Sequence, residues 1–209
     1  QVINGHFKEL LEGKSIETTG DIESLWKMMY KASTPYGRKG LAIMALSGVD
    51  LALYDLVSKN NNKPVYDLIG GLKNKKIRSY ATGEHPRLYH DLGYTAHKFT
   101  HHWDGTPESY DIATNKAYKN RLLFGAGATL MVDTYMSWDE PVTIEMSKRL
   151  DEFNLLWFED ILTPDHLEEQ SKLIPKIAPI KIAGGEHEFT QHGFLAIAKT
   201  NALNIWQPD

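Results

Sequence analysis

The sequence predicts an α/β protein in which an all-helical segment, residues 1–75, precedes a barrel of alternating strands and helices, residues 76–209, with six strands in view. Three observations predict it. No β signal of weight appears before residue 76. From there, apolar runs of strand length alternate with helical patterns. Asp133, Glu159 and Glu186 each close such a run, 26 and 27 residues apart. That interval is about one βα unit in a barrel of eight units and roughly 250 residues.

In the first segment, residues 6–12 and 21–32 have helical spacing, with Asp21 as the expected N-cap of the second. Pro35 to Gly40 reads as loop. Residues 41–59 form the strongest helical pattern, with Leu41, Met44, Ala45, Val49, Ala52, Leu53 and Leu56 as its apolar stripe and Asn60-Asn61-Asn62 as its stop. Pro64 to Leu68 reads as a short helix closed by Gly70-Gly71. In the second segment the expected strands are 77–82, 96–100, 129–135, 156–160, 182–186 and 204–209. Helical patterns fill 107–122, 139–153, 164–174 and 190–199, and a brief helix falls near Arg87–Leu92. The third to fifth strands are apolar throughout, as expected when both faces are buried.

Composition narrows the function classes. A net charge of −4 gives no reason to expect nucleic acid or an anionic membrane as partner. The longest apolar stretches read as too short to span a membrane, and no leader peptide is visible. With no cysteine, disulfides and thiolate metal sites are excluded, and a reducing, cytoplasmic setting is expected. The first residue is not Met and six strands leave a barrel open, so the chain is expected to be part of a longer protein.

The acids carry the chemistry. In a parallel barrel the C-terminal strand ends share one face, and that face holds the active site. Three carboxylates meeting there repel unless a hard divalent cation lies between them. Any one alone would more often cap the following helix; three at matched positions favour a metal.

Several motifs together resemble the mandelate racemase subgroup of the enolase superfamily. They are Gly37-Arg38-Lys39-Gly40-Leu41-Ala42, Ser47 to Leu56, Pro64-Val65-Tyr66 before Leu68-Ile69-Gly70-Gly71, Tyr80-Ala81-Thr82-Gly83, Met131 to Ser137, Gly185-Glu186-His187 and Gln207-Pro208-Asp209. The Asp133–Ser137 run and His102-Trp103 point to its L-rhamnonate dehydratase branch. The resemblance implies a (β/α)7β TIM-like barrel, here its first six strands, after the helical part of an α+β capping domain. It also implies Mg²⁺ on Asp133, Glu159 and Glu186, a small-molecule acid sugar as substrate, and a homo-oligomer. Such sites pair Mg²⁺ with a Lys or His base that removes the proton α to a carboxylate.

The resemblance further implies roles for single residues. The second strand of the subgroup often carries Lys-x-Lys. Lys98 holds the first position, where it would face the substrate carboxylate, but Thr100 holds the second and cannot act as a base near neutral pH. That favours one-base elimination of water over racemisation. His102 is expected to contact substrate, while His101 is left open. His187 is expected to contact substrate or support its neighbouring ligand. Asp209 is expected to orient a general-base His on a seventh strand, and none of the nine histidines lies beyond residue 192. The expected activity is an acid-sugar dehydratase forming a 2-keto-3-deoxy acid. A dehydratase of another aldonate or aldarate, or a catalytically silent metal-binding homologue, stays open as an alternative.

Overall fold

The computed structural model describes residues 1–208 and divides the chain into two compact units, 1–77 and 78–209.

The first unit is helical. A π-helical turn, Ile3–Phe7, runs into α1 (Lys8–Leu11) and is followed by α2 (Thr19–Ser33), α3 (Leu41–Asn60) and α4 (Val65–Leu68). Thr18, not Asp21, caps α2. The Thr18 hydroxyl accepts from the Asp21 amide, and the Asp21 carboxylate accepts from the Thr18 amide at 2.8 Å, forming a reciprocal capping box. The buried residues of α3 include Ile43, Leu46, Val49, Leu53 and Val57, the last four packed with Phe7, Ile22, Leu25 and Met29. The sequence placed Leu41, Met44 and Leu56 on the inner stripe, yet Leu41 is 79% and Met44 58% exposed. The helix is apolar on more than one side, so periodicity cannot choose its buried face. For the same reason, and against the expectation, α3 is long and apolar enough to cross a membrane by length and composition.

The second unit is one parallel sheet in the order β1-β2-β3-β4-β5-β6, with a crossover helix between neighbouring strands. The strands are β1 (Ala81–Thr82), β2 (Ala96–Thr100), β3 (Thr129–Asp133), β4 (Leu155–Glu159), β5 (Lys181–Gly184) and β6 (Ile205–Trp206). Between them lie α5 (Pro86–Asp91), α6 (Glu108–Phe124), α7 (Glu140–Arg149), α8 (Leu167–Ile177) and α9 (Thr190–Thr200). Strand β1 is shorter than the 77–82 expected: only Ala81 and Thr82 meet partners, on β2, and Ile77 is solvent-exposed. Glu186 lies two residues beyond the end of β5, whereas Asp133 and Glu159 do end their strands. The sixth strand is seen at Ile205–Trp206, and Asp209 lies outside the described residues.

Register fixes which residues share a face. Thr100 aligns with Asp133, Asp133 with Glu159, and Glu159 with Ala183. On the helix-facing side, Leu130, Val132, Phe158 and Ile182 join Met146, Leu150 and Leu173 in the main core. On the other side, Met131, Trp157 and Ala183 form a smaller layer beneath the acids. Both faces are covered, so the central strands read as continuous apolar runs.

Candidate metal centre

The rim of the sheet begins with an ion cluster inside it. Lys98 projects from β2 and donates to Glu159 Oε1, while its Nζ lies 3.3 Å from Asp133 Oδ2. The other Glu159 oxygen accepts from Trp157 Nε1 at 3.0 Å. Lys98 and Glu159 side chains are 7% and 0% exposed, so this pair is desolvated. Burial pulls the Lys98 ammonium down, but the bond to Glu159 and the charges of Glu159 and Asp133 outweigh it and hold Lys98 above its ordinary value. The Tyr80 ring lies 5.9 Å from the ammonium on another side.

Glu186 belongs to a neighbouring group. His187 Nε2 lies 3.6 Å from Glu186 Oε1 and 3.2 Å from Asp160 Oδ2. Asp160, Glu186 and His187 each present a ligand atom within 4.8 Å of the others. Burial, first, raises the Asp160 carboxyl to about 6; His187 opposes this, and Glu186, Glu159 and Asp133 add to it. Asp160 therefore feels the charges of the other three carboxylates at the rim. Among the described residues, the cluster sets one lysine and one imidazole against four acids.

Asp160 is the residue that sequence reasoning missed. Successive strand residues point to opposite faces, which would send Asp160 away from Glu159. Asp160 instead takes a left-handed backbone, φ +49°, which breaks the alternation. Its backbone is anchored on both sides: its N–H donates to Ala183, and its carbonyl accepts from Met136 N and Thr134 Oγ1. Gly184 makes room for it, because a Cβ there would stand 2.8 Å from Asp160 Oδ1. At Gly185, φ +117° turns the chain so that Glu186 and His187 come back over the rim. The adjacent acids Glu159-Asp160 were the only signal available in the sequence.

None of the three predicted acids caps a helix. The N-caps that follow them are Asp139, His166 and Phe189. Asp133 instead accepts from the Tyr135 amide at 3.1 Å.

The two histidines after β2 part company. His101 is buried, its Nε2 is 3.2 Å from Ser109 Oγ, and its carbonyl accepts from Trp138 Nε1. Burial, with Lys116 nearby, lowers His101 to about 4, so it is neutral near pH 7. His102 is exposed and faces Tyr135 at 5.4 Å between ring centroids; Tyr135 in turn faces His187 at 6.2 Å. A bond from Trp103 N to Ser137 Oγ ties this loop to the one after β3. Thr100, at the second position of the expected Lys-x-Lys, gives its hydroxyl to Glu84, which also pairs with Lys116 at 3.3 Å.

This rim can hold a cation on oxygen donors and present a cation, Lys98, and imidazoles to an anionic ligand. Residues 83–209 match the enolase C-terminal domain-like family, and residues 7–70 match the N-terminal domain of mandelate racemase / muconate lactonizing enzyme. An L-rhamnonate dehydratase of Saccharopolyspora erythraea is 33% identical over all of this chain and 53% of its own length. The rhamnonate dehydratase of Gibberella zeae complexed with Mg superposes with a TM-score of 0.91 at 34% identity, covering 100% of this chain and 51% of that one. The 3,6-anhydro-D-galactonate cycloisomerase of Zobellia galactanivorans gives 0.87 at 31%, covering 97% and 57%. The chain thus spans about half the length of the curated relatives it matches. With both family models and the fold in agreement, the chain belongs to the mandelate racemase / muconate lactonizing enzyme family of the enolase superfamily.

Proposed function

We propose that this chain carries the metal-binding half of an Mg²⁺-dependent acid-sugar dehydratase acting on L-rhamnonate or a related aldonate. The observation that carries the reading is the excess of carboxylate on the rim: Asp133, Glu159, Asp160 and Glu186 interact there against one buried lysine. A buried carboxylate without a donor is costly, and a hard divalent cation relieves it. Oxygen donors suit Mg²⁺, so the residues fit the ion. Asp133, Glu159 and Glu186 would hold it, and it would supply charge stabilisation to the substrate's carboxylate as that group's α-proton leaves.

The chain's own groups then divide the work. Lys98 would direct its ammonium to the substrate carboxylate, where its positive charge would favour the dianionic enediolate. His102, exposed on the rim, contacts the sugar and is placed to donate to a leaving hydroxyl. His187 contacts substrate or braces Glu186. Asp209 orients the base that takes the C2 proton, and loss of the C3 hydroxyl gives the 2-keto-3-deoxy acid. Residues 1–75 are assigned to the capping domain and 76–209 to the barrel.

The relatives' names support the substrate class, and Thr100 in place of a second lysine supports elimination over racemisation. The test uses the complete reading frame that contains this chain. L-rhamnonate and other acid sugars are incubated with and without Mg²⁺, and 2-keto acid is measured. Metal-dependent product is expected, reduced at least about a hundredfold in Glu186→Gln, in line with losing a group that stabilises developing charge. Full activity in Glu186→Gln, or product formed without metal, would refute the assignment.

A further inference from the structure

We propose that Asp160, Glu186 and His187 form a mixed nitrogen–oxygen cation site beside the acid-only set, selective for a first-row transition ion over Mg²⁺. It deepens the reading above, because Glu186 has two oxygens and serves both sets.

Geometry is the first support. Metal–ligand distances near 2.1 Å place neighbouring ligand atoms about 3.0 Å apart in an octahedron and about 3.4 Å apart in a tetrahedron. His187 Nε2 stands 3.2 Å from Asp160 Oδ2 and 3.6 Å from Glu186 Oε1, each within a few tenths of an ångström of the tetrahedral edge. The second support is a buried acid whose only ion-pair partner among the described residues is the imidazole itself. Asp160 is 7% exposed, and its Oδ2 has no hydrogen-bond donor among the described residues. His187 Nε2 is likewise buried at the atom and without a hydrogen bond, although the two atoms face each other. Two buried polar atoms 3.2 Å apart, neither hydrogen-bonded, form an arrangement that a cation held by both would complete.

The site is also built rather than incidental. Its carboxylate occupies room that only Gly184 leaves, on a left-handed backbone held by three hydrogen bonds. Selectivity follows from donor type. A neutral imidazole is a good ligand for Zn²⁺, Co²⁺ and similar ions, whereas Mg²⁺ prefers oxygen and retains its water. The acids at 133 and 159 bring oxygen donors and no imidazole, so they lack the donor type that favours such an ion.

Co²⁺ is the probe, added to the protein of the complete reading frame that contains this chain. An imidazole bound to Co²⁺ gives a hyperfine-shifted ring N–H proton signal that vanishes in D₂O. One such signal is expected in the wild type. His187→Gln removes it, and Asp160→Asn weakens Co²⁺ binding tenfold or more, with unchanged circular dichroism in both variants. Glu159→Gln keeps the signal, and a tenfold excess of Mg²⁺ does not displace it. An absent signal, one that survives His187→Gln, or ready displacement by Mg²⁺ overturns the proposal. If the signal behaves as expected but no 2-keto acid forms from any acid sugar, the dehydratase reading fails and this site stands.

Discussion

Replacing Lys98 by Met is the sharpest test of how the rim is held together without metal. The ammonium sits 3.3 Å from Asp133 Oδ2 and donates to Glu159, whose side chain is fully buried. At 3.3 Å and an effective dielectric of about 20, each such pair is worth roughly 5 kcal/mol of attraction before desolvation is subtracted. Methionine has similar volume but leaves Glu159 charged, buried and, among the described residues, supported only by Trp157 Nε1. Removing one partner of a buried pair costs about 3–5 kcal/mol, and that loss is expected here. Urea unfolding followed by tryptophan emission measures it, with Trp157 reporting from the cluster itself. A second arm adds Mg²⁺. A ligand at a hundred times its Kd stabilises the fold by about 2.7 kcal/mol, and the gain should be larger in Lys98→Met, where no ammonium competes for Asp133 and Glu159. The reasoning is refuted if the metal-free variant is as stable as the wild type, or if Mg²⁺ stabilises both equally.

Two further outcomes follow from the same geometry. His101 falls from 6.5 to about 4 in the fold, so between those values the unfolded chain binds the extra proton. Its contribution, about 3 kcal/mol, is complete above pH 6.5 and lost as pH falls toward 4; His101→Gln should flatten stability across that window, and an unchanged pH profile argues against the neutral buried ring. Gly185→Ala forces a side chain into φ +117° with a Cβ 3.1 Å from the Phe194 ring. A destabilisation of about 1–3 kcal/mol is expected, together with weaker Co²⁺ binding as Glu186 and His187 shift. Calorimetric titration of the folded variant checks the second effect, and wild-type affinity would contradict it.

The sequence by itself determined the parallel α/β unit and the level of the site. Strand and helix periods are local, and continuous apolar runs such as Leu130-Met131-Val132 declare burial on both faces wherever the chain goes next. Acids spaced by one βα unit land together because each unit returns to the same end of the sheet. The inner face of α3 was not legible, since a helix apolar on several sides packs by tertiary fit alone. Nor was the division of the rim acids. Their spacing grouped Asp133, Glu159 and Glu186 as equals. The folded chain sets Lys98 between the first two and gives Glu186 to Asp160 and His187. Tertiary structure decided that, through a left-handed turn at Asp160 and a glycine at 185 that reverse where neighbouring side chains point. Backbone handedness at single residues leaves no period in a sequence, so only the fold could reveal it.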